Sequence, residues 1–231
     1  MIKFDNTIKR DEYGKVMMPI SYNFIELGRG IEAGRPTVFI GLKCCNSLCK
    51  AGDKTCNNPE AHLLQAEETI YKTAKEIAEE VVEAKSQRVC ITGEEPLARE
   101  GIAEFIKDLC ELLPNKIIEI ETNGSIDIFR TFNYIEPAKN VRFICNYLVK
   151  PNEEKHKMIT KNWNLLDEND CIKFVVSSKE DMDCAIDLIK RYTPVAQVMF
   201  HPILDEIGYH SVLTYICSED VINLDIKIQF E

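Results

Sequence analysis

The sequence is short of the features that identify several large classes of protein. Its 231 residues contain no stretch near the roughly eighteen consecutive apolar residues that a membrane-spanning helix requires. Low-complexity tracts and convincing internal repeats are also absent from the sequence. Cationic side chains are comparatively few, since 28 Lys and Arg face 38 Asp and Glu for a net charge of −10. We therefore expect neither a membrane nor a nucleic acid as the main partner.

An apolar secretion signal is missing as well. The first residues, Met1 to Asp5, carry no hydrophobic core, so a cytoplasmic location is expected. The 45% of hydrophobic residues suffices for one core. We expect a single domain over residues 1–231, with an N-terminal extension at 1–19 and a cysteine-rich loop at 43–62. Six of the ten cysteines fall within periodic apolar segments and are interpreted as buried, reduced thiols: Cys90, Cys110, Cys145, Cys171, Cys184 and Cys217.

The remaining four cysteines form the most informative stretch of the chain. Cys44, Cys45, Cys49 and Cys56 lie within thirteen residues of one another, directly after an apolar, strand-like run at 37–42. This concentration exceeds what packing alone would explain. Soft thiolates this close together indicate a shared zinc ion or iron–sulfur cluster.

Predicted helices and strands alternate through most of the chain. Apolar residues at spacings of three and four predict helices at 67–84 and 101–113, and hydroxyl caps with acidic residues predict another at 177–192. A weaker helix is predicted at 211–216. Short β-branched or apolar runs predict strands at 88–92, 116–121, 141–145, 171–176, 196–200 and 224–228. We therefore expect an α/β fold, an incomplete (partial TIM-type) β/α barrel of about six or seven mostly parallel strands.

In such folds, ligands bind at the carboxyl ends of the strands. The cysteine loop, the segment from Thr92 to Pro96 and the segment from Glu121 to Gly124 all follow predicted strands. Glu121 ends an otherwise apolar strand, where a carboxylate is rarely without a partner. We therefore expect these segments to meet in one pocket.

An ordered set of motifs is similar to the 7-carboxy-7-deazaguanine synthases, which are radical S-adenosylmethionine (SAM) enzymes. The segment from Gly28 to Ile40 resembles their Q-G-E-G-x-x-A-G-R-P-T-V-F-I, and Cys45-Asn46-x-x-Cys49 resembles the start of their cluster motif. Further segments resemble I-T-G-G-E-P-L, I-E-T-N-G-S, K-F-V-V and a strand-end Q-P-I: Ile91 to Leu97, Ile120 to Ser125, Lys173 to Val176 and His201 to Ile203. The resemblance covers about residues 20–230.

The resemblance implies a lyase with a [4Fe-4S] cluster and SAM as cofactors, and a magnesium ion assisting. An electron from the cluster would cleave SAM to a radical that takes a hydrogen from 6-carboxytetrahydropterin. Ring contraction and loss of ammonia would then give 7-carboxy-7-deazaguanine, as in queuosine-type biosynthesis. The implied partners are a pterin-like small molecule and a reductant such as flavodoxin or ferredoxin, and the family leads us to expect a homodimer.

The resemblance also implies site residues. The cluster ligands would be Cys45, Cys49 and Cys56. The SAM site would be lined by Gly93, Glu94, Glu95, Asn123, Asn146, His201 and Pro202. The substrate would face Glu26, Leu27, Gly28 and Thr92.

Several positions depart from the family pattern. The third family cysteine should stand at Gly52, so Cys56 is the expected replacement and Cys44 an alternative ligand. Glu94 replaces a glycine of the G-G-E segment, where a side chain would reshape the approach to SAM. Arg29 replaces a family glutamate, and Gly41 stands where the family has an arginine associated with the substrate carboxylate. We expect Arg29 to supply a replacement charge from the facing loop.

Two other hypotheses remain open on the sequence. The altered positions also suit a homologue that has kept the scaffold as a ligand-binding or regulatory module without catalysis. The cysteines together with His62 also suit a zinc-stabilised scaffold.

Overall fold

The computed structural model describes residues 6–43, 69–93, 95–132, 138–149 and 159–229. The cysteine-rich loop therefore lies outside the described residues. Within the described ranges, ten strands form a single sheet, and five α-helices connect or flank its strands.

The strands and helices have the following bounds. The strands are β1 (Lys9–Arg10), β2 (Val16–Leu27), β3 (Pro36–Leu42), β4 (Ile70–Thr73), β5 (Arg88–Gly93), β6 (Ile117–Thr122), β7 (Val141–Leu148), β8 (Cys171–Val176), β9 (Gln197–Pro202) and β10 (Lys227–Ile228). The helices are α1 (Ala74–Glu83), α2 (Ile102–Leu112), α3 (Ile128–Thr131), α4 (Lys179–Tyr192) and α5 (Tyr209–Ile216).

The sheet is mostly parallel. Its strands run in the order β1-β2-β3-β5-β6-β7-β8-β9-β10, and every pairing from β3 to β10 is parallel. β2 pairs antiparallel with β1, β3 and β4. The described strands do not close on themselves, since β1 and β10 stand at opposite ends of the order. The expected α/β sheet of parallel strands is confirmed, and its closure into a partial barrel stays a prediction.

The two faces of the sheet have different partners. Alternate strand residues, such as Ile40, Ile91 and Ile120, pack with apolar residues of the helices in one hydrophobic core. The residues between them point to the opposite side, which we call the inner face. Buried apolar residues of the inner face, such as Phe39 and Met199, lie outside that core. A helix-covered face and a separate inner face are what a strand-helix repeat produces.

One predicted helix begins too early. Residues 70–73 of the helix predicted at 67–84 form β4, which pairs with β2, and α1 starts only at Ala74. The physical reason is a capping box: the Thr73 hydroxyl accepts from the Glu76 N–H, and the Glu76 carboxylate accepts from the Thr73 N–H. The spacing of Ile70 and Ala74 by four residues was therefore coincidental.

Other differences are local. The strand predicted at 224–228 shortens to β10, because Ile222–Leu224 is a 3-10 turn and Asp225 is left-handed with φ 49°. Sequence patterns also missed β2, whose alternation is interrupted by a bulge between Ile20 and Tyr22. Within the described part of the chain, no helix is long and apolar enough to cross a membrane.

The six scattered cysteines are free thiols of unequal burial. Cys90, Cys145 and Cys171 are buried as expected, and burial raises their pKa values. Cys110 and Cys184 are only partly buried. Cys217 is exposed, which corrects the expectation of a buried thiol, because it follows the last turn of α5 and lies on its solvent side.

Candidate active site

Polar side chains meet on the inner face near the carboxyl ends of the central strands. Thr92 stands on β5, Glu121 on β6, Asn146 on β7 and Lys173 on β8, and Arg29 enters from the connection between β2 and β3. All five side chains are buried. Parallel strands bring them together because the carboxyl ends of such strands lie along one edge of the sheet.

The Glu121 carboxylate is the centre of this cluster. Its Oε1 accepts from Lys173 Nζ at 3.0 Å and from Asn146 Nδ2 at 3.0 Å. Its Oε2 accepts from Thr92 Oγ1 at 2.8 Å and from Arg29 Nη1 at 3.3 Å. The expectation that Glu121 has a partner is confirmed. Arg29 pairs with this carboxylate, and its expected role as a replacement charge for the substrate stays a prediction.

Two cations, Lys173 and Arg29, meet the Glu121 carboxylate. Burial alone would raise the pKa of Glu121, but Lys173 and Arg29 hold that pKa well below its usual range. The carboxylate is therefore ionised at neutral pH.

The side chain of Asn146 has a buried acceptor that a ligand could satisfy. Its Nδ2 donates to Glu121, while its buried Oδ1 has no hydrogen-bond partner among the described residues. An orphaned buried acceptor costs about 1–3 kcal/mol when nothing satisfies it. A ligand N–H or O–H would satisfy it. This acceptor therefore fits a cofactor that carries an ammonium or hydroxyl group, as SAM does.

Glu95, which is predicted to line the SAM site, is held by hydrogen bonds between the segment after β5 and the end of β6. Its fully buried carboxylate accepts from Thr122 Oγ1, from the Asn123 N–H at 2.7 Å and from the Leu97 N–H at 3.0 Å. Burial raises the pKa of Glu95 to about 7, against the lowering effect of these hydrogen bonds. In this arrangement its carboxylate ties the segment after β5 to the end of β6.

Gly93 and Asn123 shape the two ends that Glu95 joins. Gly93 has φ +112°, and a Cβ there would lie 2.3 Å from the Leu42 carbonyl oxygen, so only glycine fits. The Asn123 Oδ1 accepts from the Ser125 N–H at 3.0 Å and shapes the turn after β6. Both residues lie at the strand ends where the sequence placed them.

His201 and Pro202 end β9 at the same edge. His201 Nδ1 lies 3.3 Å from the Gln229 carbonyl oxygen, and the Gln229 side-chain oxygen accepts from the Gly30 N–H at 2.8 Å. These bonds link β9 to the connection between β2 and β3. They bring the predicted SAM-site and substrate-site segments close together.

The predicted substrate residues of β2 lie on both of its faces. Glu26 is on the inner face, because it pairs with Thr37, whereas Leu27 points away from that face and is 60% exposed. Gly28 is required by close approach, since a Cβ there would lie 2.6 Å from Thr37 Oγ1. The inner face therefore includes Glu26 and excludes the Leu27 side chain.

Several predicted positions lie outside the described residues: Cys44, Cys45, Cys49, Gly52, Cys56, His62 and Glu94. The role of each stays a prediction. Sequence reasoning gave no role to Lys173 beyond its place in a motif, although a lysine inside an apolar strand signals a buried ion pair.

The chain is similar to named proteins, although no family model matches it. The 7-carboxy-7-deazaguanine synthase of Clostridium acetobutylicum is 29% identical over 205 residues, which are 87% of this chain and 88% of that protein. The enzyme of the same name from Thermoplasma acidophilum is 30% identical over 177 residues, 76% of this chain and 77% of that protein.

Solved structures share the fold. SuiB of Streptococcus suis bound to its precursor peptide SuiA superimposes with a TM-score of 0.54 at 18% identity, over 80% of this chain and 46% of the SuiB chain. SuiB bound to S-adenosylmethionine superimposes with a TM-score of 0.54 at 16% identity, over 81% of this chain and 48% of the SuiB chain. The chain thus spans about half the length of SuiB, and at these identities the likeness shows the fold alone.

The fold, the strand-end site and the named relatives together define the chain as a radical SAM protein. The Thermoplasma relative, at 30% identity over 77% of its length, identifies the family within this class. The chain belongs to the 7-carboxy-7-deazaguanine synthase family, which confirms the resemblance found in its motifs.

Proposed function

We propose that this chain is a radical SAM lyase that converts 6-carboxytetrahydropterin to 7-carboxy-7-deazaguanine. The single observation that carries the proposal is the polar cluster around Glu121, with the orphaned Oδ1 of Asn146, at the strand ends where such folds bind ligands. Membership of the synthase family supports the substrate class.

The cofactors would supply the difficult chemistry, which is the reductive cleavage of SAM to a radical able to take a hydrogen from the substrate. Cys45, Cys49 and Cys56 are proposed as the three cluster ligands, with Cys44 as the alternative third ligand. Their thiolates would leave one iron open for SAM. A flavodoxin or ferredoxin is the proposed source of the electron.

The described residues would position and shield the reactants. Glu121 would fix the amide of Asn146 through its Nδ2, and the buried Oδ1 has no partner among the described residues, so it could accept from a ligand. Thr92 is held by the same carboxylate at 2.8 Å.

Anaerobic reconstitution with iron and sulfide, followed by reduction and addition of SAM, tests the proposal. We expect 5′-deoxyadenosine and 7-carboxy-7-deazaguanine when 6-carboxytetrahydropterin is present. A failure to assemble any cluster would refute the enzyme function. Cleavage of SAM without turnover of the pterin would retain the radical chemistry and refute the substrate.

The third cluster ligand is tested by two matched variants. Cys56→Ala should abolish 5′-deoxyadenosine formation and lower the bound iron, whereas Cys44→Ala should retain both. The reverse result would assign the third ligand to Cys44. Loss of iron in neither variant would show that two cysteines hold whatever metal is bound.

A further inference from the structure

Two hydrogen-bonded side chains lie behind the strand ends, on the helix-covered face of the sheet. Glu121 points to the inner face, so Thr122, the next residue of β6, points to the opposite face. There it is registered with Cys145 of β7, a member of the hydrophobic core. Thr122 is 1% exposed, and Glu95, which meets it from the segment after β5, is 0% exposed. The sheet therefore separates this pair from the cluster around Glu121.

The pair holds backbone groups of two connecting segments. Thr122 Oγ1 donates to the Glu95 carboxylate and lies 2.8 Å from its Oε1 and 3.0 Å from its Oε2. The same hydroxyl accepts from the Gly124 N–H at 3.2 Å. The carboxylate also accepts from the Leu97 N–H at 3.0 Å and from the Asn123 N–H at 2.7 Å. We call Thr122 and Glu95 the strand-end pair, because they join the segment after β5 to the turn after β6.

The carboxylate of the pair is already saturated with donors. It offers about four lone-pair directions, and each of its oxygens accepts from the Thr122 hydroxyl and from one backbone N–H. No surface of Glu95 is exposed. Its influence on a ligand at the inner face would therefore pass through the backbone that it holds.

This backbone borders the candidate site. Thr122 is paired with Cys145 at the end of β6, so Asn123 and Asn146 are the next residues on the two chains. The Oδ1 of Asn146 is the buried acceptor that has no partner among the described residues. A shift of the turn at Asn123 would move the backbone beside this acceptor.

We propose that Thr122 is a positioning residue for SAM, which acts through Glu95 and makes no contact with the ligand. Supporting hydrogen bonds of this kind keep a binding site within the narrow range of geometry that affinity requires. The inference rests on the proposed function for SAM as the ligand. It adds that the helix-covered face of the sheet, and not only the inner face, determines how tightly SAM binds.

Titration calorimetry of SAM into the full chain, anaerobically reconstituted with iron and sulfide and without reductant, tests the inference. Thr122→Val removes the hydroxyl and keeps the volume, so SAM should bind about tenfold more weakly. Thr122→Ser keeps a hydroxyl and should bind within about twofold of wild type. Ser86→Ala is the matched control, because the buried Ser86 hydroxyl also accepts from the N–H two residues later, but before the amino end of β5. It should lower the urea midpoint and leave SAM affinity within about twofold of wild type.

Unchanged SAM affinity in Thr122→Val, an equal loss in Ser86→Ala, or no recovery in Thr122→Ser would overturn the inference. If Thr122→Val does not fold, hydrogen exchange of the wild type takes its place. The Leu97, Asn123 and Gly124 amides should then exchange slowly, and more slowly with SAM; fast exchange, or rates that SAM leaves unchanged, would contradict the inference. Wild type that binds no SAM would overturn the proposed function as well, whereas SAM binding without turnover of the pterin would refute only the substrate.

Discussion

Two glutamates on one strand behave in opposite ways, and the contrast distinguishes the two ends of the inner face. Glu119 and Glu121 stand two residues apart on β6, point to the same side and are 2% and 5% exposed. Four side chains donate hydrogen bonds to Glu121. The Oε2 of Glu119, in contrast, has no hydrogen-bond partner among the described residues.

The pKa values of the two carboxyls diverge accordingly. Burial raises the pKa of Glu119 to about 8, and the negative charges of Glu32 and Glu121 add to the effect. Burial acts on Glu121 too, but Lys173 and Arg29 reverse it and hold that pKa well below its usual range. Equal burial therefore gives a neutral acid toward the amino end of β6 and an anion toward its carboxyl end.

The difference between Glu119 and Glu121 indicates which end of the inner face is preorganised for a ligand. The anionic Glu121 fixes two cations, a hydroxyl and an amide in defined positions, as a preorganised site requires. Among the described residues, the neutral Glu119 organises no comparable set of donors. This contrast is why we propose ligand binding at the carboxyl end of the face.

The largest expected effect comes from Glu121→Gln. The substitution leaves Lys173 and Arg29 buried without their carboxylate, which should lower the free energy of unfolding by about 3–5 kcal/mol. Urea denaturation at pH 5.5 measures it. Glu119→Gln is the matched variant and should change the free energy by less than about 1 kcal/mol at that pH. Equal losses of unfolding free energy in Glu121→Gln and Glu119→Gln would contradict the difference between the two glutamates.

The pH dependence of Glu119→Gln comes next. The raised pKa keeps Glu119 protonated in the folded chain, so the stability that this form contributes is present below about pH 4.5 and is lost as the pH rises toward about 8. Between pH 5.5 and 8, the variant should therefore gain on the order of 3 kcal/mol relative to wild type. Parallel denaturation curves across this range would contradict the raised pKa.

Glu121 should show the opposite dependence. Its pKa is lowered, so its contribution is present above about pH 4.5 and is lost as the pH falls below that value. Wild-type stability should thus fall below about pH 4.5 because of Glu121, and it should fall between about pH 4.5 and 8 because of Glu119. In Glu121→Gln, we therefore expect the free energy of unfolding to fall less below about pH 4.5 than it does in the wild type.

A smaller effect is expected from Thr92→Val. The valine removes the hydroxyl that donates to the Glu121 carboxylate at 2.8 Å, and hydrogen bonds to charged groups contribute about 1.5–3 kcal/mol. Thr37→Val is the control, because its buried hydroxyl donates to the neutral Arg35 carbonyl at 3.1 Å and should cost about 1 kcal/mol. The difference between the two free energies of unfolding measures how far the charge of Glu121 organises its neighbours.

The sequence predicted the parallel strands well because their apolar runs are short, β-branched and bounded by turn residues. It predicted that Glu121 has a partner, since a carboxylate in an apolar strand needs one. The position of β4 could not be predicted from the sequence, because Ile70 and Ala74 have the spacing of a helix although the helix begins only after its N-cap at Thr73. The orientation of Tyr22 could not be predicted either, because one extra residue at Ser21 decides to which face of the sheet it points.

The central claim is that the carboxyl end of the inner face binds SAM and the amino end does not. Titration calorimetry of SAM into anaerobically reconstituted wild type, Asn146→Ala and Glu119→Gln tests it directly. We expect Asn146→Ala to bind SAM about tenfold more weakly, because the acceptor Oδ1 is lost, and Glu119→Gln to bind within about twofold of wild type. Equal affinities in all three proteins, or a loss confined to Glu119→Gln, would contradict the account.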